Sequence, residues 1–153
     1  EVGYILKNAL DYNLKNEEQT VDLGQRLAKK LNSGVFIALS GDLGAGKTVF
    51  VKGIAKGLNI KERVVSPTYT VMCQYFGDKM LCHFDLYRVN EDDCYDMGFD
   101  DFFFDENVVS AGEGSERLTV LPQAVLKVYI EKTGESTRKI TIEDEKDILK
   151  GEP

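Results

Sequence analysis

The sequence predicts an α/β fold in which a mainly parallel sheet carries an antiparallel extension. Three observations lead there. Val35-Phe36-Ile37-Ala38-Leu39 is apolar without alternation, as a strand buried on both faces of a parallel sheet requires. After a glycine-rich loop, Val49, Phe50, Val51, Ile54, Ala55 and Leu58 recur at helical spacing. Toward the other end, 125–130 and 139–142 alternate in polarity on either side of Thr133-Gly134, the pattern of a hairpin.

The remaining elements follow in order. Tyr4-Ile5-Leu6 reads as a short edge strand and 11–15 as a turn. Asn16-Glu17-Glu18-Gln19 sets an N-cap residue three positions before Gln, after which Leu23, Leu27 and Leu31 recur every fourth residue toward a stop at Asn32-Ser33-Gly34. Ser66-Pro67-Thr68-Tyr69-Thr70 is a hydroxyl-rich turn, followed by two expected strands, 69–76 and 80–87, joined at Gly77-Asp78. Asn90-Glu91-Asp92-Asp93 starts a helix, 99–104 is an aromatic helical segment, and Val108-Val109 marks another buried strand. Residues 143–153 are mostly charged and are expected to fray.

Between the first apolar run and the helix after it stands Gly41-Asp42-Leu43-Gly44-Ala45-Gly46-Lys47-Thr48, which fits G-x-x-x-x-G-K-[ST]. Glycines let successive backbone N–H groups wrap an anion without Cβ clashes, and the following helix N-terminus favours phosphate. The pattern makes Asp42, Leu43, Gly44, Ala45, Gly46, Lys47, Thr48 and Val49 the expected nucleotide contacts, with Lys47 on the β/γ-phosphates and Thr48 on Mg²⁺. A three-layer fold like that of the P-loop NTPases is the architecture this motif serves.

Composition narrows the function. At 153 residues the chain suits one domain, 1–153, and no apolar run approaches the length needed to cross a bilayer. The first residues lack the layout of a secretory signal, so a cytoplasmic protein is expected. A net charge of -7 argues against holding nucleic acid on its own surface. Three cysteines, Cys73, Cys82 and Cys94, and a single histidine, His83, support neither a disulfide framework nor a zinc site, and the cysteines are expected to pack as small hydrophobes.

A phosphate loop alone binds; hydrolysis also needs a carboxylate for the metal and a group that orients the nucleophile. Met80-Leu81-Cys82-His83-Phe84-Asp85 is a strand-like run ending in Asp, which makes Asp85 the metal-side candidate, and period-two alternation puts His83 on the same face. Glu113, after the strand at Val108, falls at a carboxyl end, where ligands bind in open α/β sheets; spacing alone favours a solvated loop glutamate over a residue that positions the attacking water. The hydroxyls of 66–70 suit a segment that senses the γ-phosphate.

Taken in order and spacing, the 41–48 loop, Ser66-Pro67-Thr68-Tyr69-Thr70, His83-Phe84-Asp85-Leu86-Tyr87-Arg88 and Met97-Gly98 resemble the bacterial TsaE (YjeE) family. That family is the ATPase component of tRNA threonylcarbamoyladenosine biosynthesis, and the resemblance runs from about Glu17 to about Leu118. It implies ATP and Mg²⁺ as cofactors, Thr48, Asp85 and Glu113 on the metal, and Glu113, Asp85 and Thr68 as the catalytic set. Arg138 is similar to the family's late arginine near the nucleotide, and Asn16 or Thr20 to its early polar contact. The family has a glutamate usually followed by tryptophan where this chain has Glu113-Gly114, and this chain contains no tryptophan. The resemblance further implies two partner subunits, TsaD- and TsaB-like, that carry out the transfer to tRNA, which this chain meets only indirectly.

Two other classes compete. A small-molecule P-loop kinase needs a lid and clustered arginines, whereas Arg26, Arg63, Arg88, Arg117 and Arg138 are scattered. A nucleotide-gated module would bind ATP without hydrolysing it. A GTPase is disfavoured by the lack of an N-K-x-D segment.

Overall fold

The computed structural model describes residues 2–6, 8–122 and 124–153, the first of these segments as backbone. Its strands are β1 (Val2–Leu6), β2 (Ala9–Leu14), β3 (Val35–Gly41), β4 (Met72–Phe76), β5 (Met80–Asp85), β6 (Val108–Glu113), β7 (Val125–Lys132) and β8 (Arg138–Glu143). Its helices are α1 (Glu17–Lys29), α2 (Lys47–Gly57), α3 (Glu91–Asp96) and α4 (Phe99–Phe103). One eight-stranded sheet runs β1-β2-β8-β7-β3-β6-β5-β4. Its centre is parallel, β3 pairing with β6 and β7, and β5 with β6. Both flanks are antiparallel, through β1-β2-β8-β7 on one side and β4 on the other.

Alternation along the central strands builds two cores. Ile37, Leu39, Leu81, Val109 and Ala111 face α1 and α2, while Phe36, Ala38, Cys82, Phe84 and Val108 face α3 and α4. Helices on both faces make the three layers that the sequence predicted. On the second face Phe36, Phe84, Phe99 and Phe103 meet edge-on or tilted, with centroids 5.0–5.1 Å apart. This is where the aromatic 99–104 segment is spent.

Helix α1 starts as its sequence indicates: the Asn16 side chain accepts from Gln19 N, and Gln19 Oε1 accepts in return from Lys15 N at 2.8 Å. It lies close against α2 through glycines. A Cβ on Gly24 would press on the Phe50 carbonyl oxygen, and one on Gly53 on that of Val21. We therefore expect Gly53→Val to force the helices apart and to cost about 1–3 kcal/mol in denaturant unfolding. An unchanged midpoint would contradict this packing.

Three local expectations need correction. Residues 11–15, read as a turn, mostly belong to β2, where Leu10, Tyr12 and Leu14 are buried and Asp11 takes a hydrogen bond from Thr141 Oγ1 at 2.6 Å. The strand expected to reach residue 87 stops at Asp85, whose side chain caps a 3-10 turn over Leu86–Arg88. The charged tail does not fray. Asp144 accepts from Ile148 N and Leu149 N at 2.7 and 2.8 Å, Leu149 is buried, and the Pro153 carbonyl accepts from Arg26.

Candidate functional site: a phosphate-loop cleft

β3 delivers the chain to loop 42–46 at the carboxyl edge of the parallel sheet, and α2 leads away from it. Gly46 sits at φ 109°, a conformation L side chains rarely adopt, and its carbonyl accepts from Phe50 N as α2 begins. Ala45 is buried beneath the loop, while Leu43 projects fully into solvent. Lys47 folds back, donating to the Gly41 carbonyl at 2.6 Å.

Register then brings the carboxylates in. β5 and β6 run in step, pairing Asp85 with Glu113, and β6 pairs Glu113 with Leu39 of β3. Both acids therefore end their strands on one sheet face beside the phosphate loop. Glu113 Oε1 lies 3.4 Å from Lys47 Nζ, and Oε2 lies 3.0 Å from His83 Nε2. Burial opposes ionisation of Glu113, but the hydrogen bond from His83 and the nearby Lys47 ammonium outweigh it, so its carboxyl is held below the usual range. The ionised group thus stabilises the fold above the unfolded carboxyl pKa, and that contribution is lost as pH falls through the lowered folded value. Asp85 Oδ1 accepts from Tyr87 N at 3.2 Å.

The cleft, about 810 Å³, is lined by the loop, Thr48, Val49, Ser66, Thr68, Asp85, Glu113 and Arg138. Most of the residues singled out by the sequence thus converge. Asn16 does not: its side chain is spent capping α1, and Glu17 and Thr20 of that helix line the cleft instead. Arg138 is present as a tether. Its Nε donates to the Ala45 carbonyl at 2.8 Å and its Nη1 to the carbonyls of Gly134, Glu135 and Thr137 at 3.2, 3.3 and 2.9 Å. It pins the phosphate loop to the β7–β8 turn, and a loop carbonyl held by a guanidinium repels an anion less.

Glu135 and Ser136 of that turn and Tyr87 also line the cleft without a role having been read for them. The turn itself is legible at Gly134, but its place in the cleft carries no local signal; it arrives because β7 is the parallel neighbour of β3. Ser66 Oγ and Thr68 Oγ1 are hydrogen-bonded at 2.7 Å. Their segment ends at Val71, held at φ 68° although β-branched, a strain of about 1–3 kcal/mol. Val71 N donates to the Pro67 carbonyl, and the Val71 carbonyl accepts from Asp85 N at 2.7 Å, so this segment is bonded directly to the candidate metal residue.

Gly114, at φ 82°, turns the chain beneath Tyr87, whose backbone N would lie 2.9 Å from any Cβ there. Gly112 likewise leaves room for the Phe36 ring, whose Cζ would stand 2.7 Å from a Cβ. Glu113 is nonetheless held on both oxygens.

The cysteines take no part. All three are free; Cys82 is fully buried, and burial pushes its thiol up to about 12. Native alkylation is expected to label the half-buried Cys73 first, with Cys82 reacting only after unfolding; peptide mass spectrometry showing early Cys82 adducts would contradict this.

The charge balance bears on the ligand. Five lining carboxylates, Glu17, Asp42, Asp85, Glu113 and Glu135, outnumber Lys47 and Arg138. Such a cleft opposes a bare polyphosphate and suits one carrying a divalent cation. Among the described residues no group of three or more His, Cys, Asp or Glu side chains is arranged to hold a metal alone. Mg²⁺ is usually bound through one or two carboxylates plus substrate phosphates, and Thr48, Asp85 and Glu113 fit that manner of holding it.

Comparison with known proteins agrees with this geometry. The family described as "Threonylcarbamoyl adenosine biosynthesis protein TsaE" matches residues 14–140. The chain is similar to the tRNA threonylcarbamoyladenosine biosynthesis protein TsaE of Bacillus subtilis, 38% identical over 133 residues that cover 86% of this chain and 84% of the relative. It is also similar to the protein of that name from a Nostoc species, 35% identical, covering 84% and 82%. Among solved structures, that of Bacillus subtilis YdiB superposes with a TM-score of 0.70 at 32% identity, covering 93% of this chain and 86% of the other. A family match across residues 14–140, with relatives more than 30% identical over most of both chains, establishes that this chain belongs to the TsaE family.

Proposed function

We propose that this chain is a Mg²⁺-dependent ATPase that serves threonylcarbamoyladenosine modification of tRNA, next to the anticodon, in the cytoplasm. Family membership supports the pathway, and one observation carries the chemistry: Lys47, Asp85, Glu113 and Thr68 converge on a single phosphate-loop cleft. No helix among the described residues is long and apolar enough to cross a membrane.

Each residue has a physical role in this reading. The loop amides and the α2 N-terminus bind the phosphates, and Lys47 exchanges its Glu113 and Gly41 contacts for the β/γ-phosphates. Mg²⁺ supplies charge neutralisation across the phosphates. Thr48 and Asp85, with Glu113, would hold it on the protein side. Glu113, ionised, orients the attacking water through the oxygen that Lys47 releases. Thr68 lies where the cleft's contents reach the 66–70 segment, and through Val71 that segment reports to Asp85.

The two partners are TsaD- and TsaB-like subunits, and tRNA is contacted through them. The -7 net charge favours that arrangement over direct tRNA binding. Phosphate release measured with Mg²⁺ and ATP, alone and with those two subunits, tests the reading: turnover that rises with the partners supports it, and phosphorylation of a small acceptor would point to a kinase. Because the cleft is acidic, chelating divalent cations is expected to weaken ATP binding at least tenfold in calorimetry. Equal affinity with and without Mg²⁺ would contradict the assignment of the carboxylates.

A further inference from the structure

His83 is the only histidine in the chain, it is fully buried, and the roles above do not use it. It lies on β5 two residues before Asp85, on the sheet face that carries Glu113. Its Nε2 is 3.0 Å from Glu113 Oε2, whereas its Nδ1 is buried with no hydrogen-bond partner. Hydrogen-bond accounting assigns the ring's proton. A proton on Nδ1 alone would bury an unsatisfied donor and turn the Nε2 lone pair toward a carboxylate oxygen. A proton on Nε2 gives Glu113 Oε2 a donor and leaves at Nδ1 only an unpaired lone pair, the smaller cost.

We infer that His83 is a positioning residue: its Nε2–H pins Glu113 Oε2, so that Oε1 alone is presented to the cleft beside Lys47. A carboxylate on a strand end has two equivalent oxygens and a freely turning terminal torsion. One buried, rigid donor removes that freedom. The ring can do this because β5 and β6 are in parallel register, which sets His83 opposite Ala111 and one pleat from Glu113. Gly114 adds no side chain beside Glu113, so among the described residues the hydrogen bond from β5 and the Lys47 contact are what restrain the Glu113 side chain.

This inference rests on Glu113 acting in ATP turnover, and its test separates the two. With one histidine, the ring ¹⁵N signals are unambiguous. Long-range ¹H–¹⁵N NMR of the full chain is expected to show the Nε2–H tautomer and a clear change of the Nε2 signal in Glu113→Ala. An Nδ1–H tautomer, or a ring indifferent to Glu113→Ala, would overturn the inference whether or not the protein hydrolyses ATP. In turnover assays with the partner subunits, His83→Leu is expected to keep its KM for ATP within about threefold while kcat falls at least tenfold. His83→Gln, whose amide can donate from nearly the same place, is expected to recover most of kcat. Wild-type kcat in a folded His83→Leu would overturn the positioning role, as would equal losses in the Leu and Gln variants at equal melting temperature. Should His83→Leu not fold, the NMR result and the Gln variant decide. Failure of the ATPase reading itself would show differently, as absent turnover in the wild type.

Discussion

Lys47→Ala is expected to lose ATP binding by at least a hundredfold and to abolish hydrolysis, while the chain stays folded. Lys47 is the first residue of α2, and its side chain spans from the Gly41 carbonyl, 2.6 Å away, to Glu113 at 3.4 Å. It is one of two cations against five carboxylates in the cleft lining. Removing it leaves a markedly acidic wall facing a polyphosphate, so the loss combines a missing attraction with an unscreened repulsion. Two charge-assisted contacts to phosphate are worth about 3–6 kcal/mol, a hundredfold or more in affinity. The partly buried ion pair to Glu113 is lost as well, and leaving that carboxylate unpaired destabilises the fold, though the hydrogen bond from His83 remains. Fluorescence titration with a labelled nucleotide reads the affinity, and circular dichroism the fold. Retained affinity would remove the phosphate loop from the account.

The second large effect is on turnover alone. Glu113→Gln keeps the shape and the His83 contact but removes the charge, so nucleotide affinity is expected to change by less than about tenfold while kcat falls by 10²–10⁴, the range for a group that orients and accepts a proton. The asymmetry follows from geometry: Glu113 stands at the end of β6 against Lys47, not in the loop that binds. Asp85 is the useful control. It sits in register with Glu113 on β5 and is assigned to the metal, so Asp85→Asn is read as a changed Mg²⁺ requirement. Single-turnover kinetics with saturating ATP separates the two. Unchanged kcat in Glu113→Gln would transfer the water-orienting role to another residue of the cleft.

What the sequence made legible was what is encoded locally. The run 35–39, the loop 41–48 and the helical spacing after it are contiguous, so β3, the phosphate loop and α2 could be read in place. The cap at Asn16 and the hairpin around Gly134 are equally local. β2 was missed because Asp11 and Asn13 between apolar residues look like turn chemistry; only pairing with β8, some 130 positions away, makes them the outer face of a strand. The tail was misread from composition, since one buried leucine and one aspartate receiving two backbone N–H groups outweigh its many charges.

The site divides the same way. Lys47, Thr48 and Asp85 are marked by motif and strand-end position, whereas spacing leaves Glu113 a solvated loop glutamate and only the family resemblance singles it out. The pairing of Glu113 with His83, 30 residues apart, is set by parallel register, which a single sequence does not display. The family resemblance puts Arg138 near the nucleotide, whereas its contacts are to four carbonyls that tie the β7–β8 turn to the loop, a consequence of sheet order. Gly114 looked like a missing tryptophan. In the fold it is a left-handed turn under Tyr87, and the neighbouring space at Gly112 is taken by Phe36.

The most direct test is reconstitution of tRNA threonylcarbamoyladenosine formation with the two partner subunits, ATP and Mg²⁺, comparing the wild-type chain with Glu113→Gln and counting modified nucleosides per complex by mass spectrometry. The account predicts many modified tRNAs per complex with the wild type and no more than about one with Glu113→Gln. Equal multiple turnover by both chains would contradict it, because ATP hydrolysis in this cleft would then not be what sustains the modification.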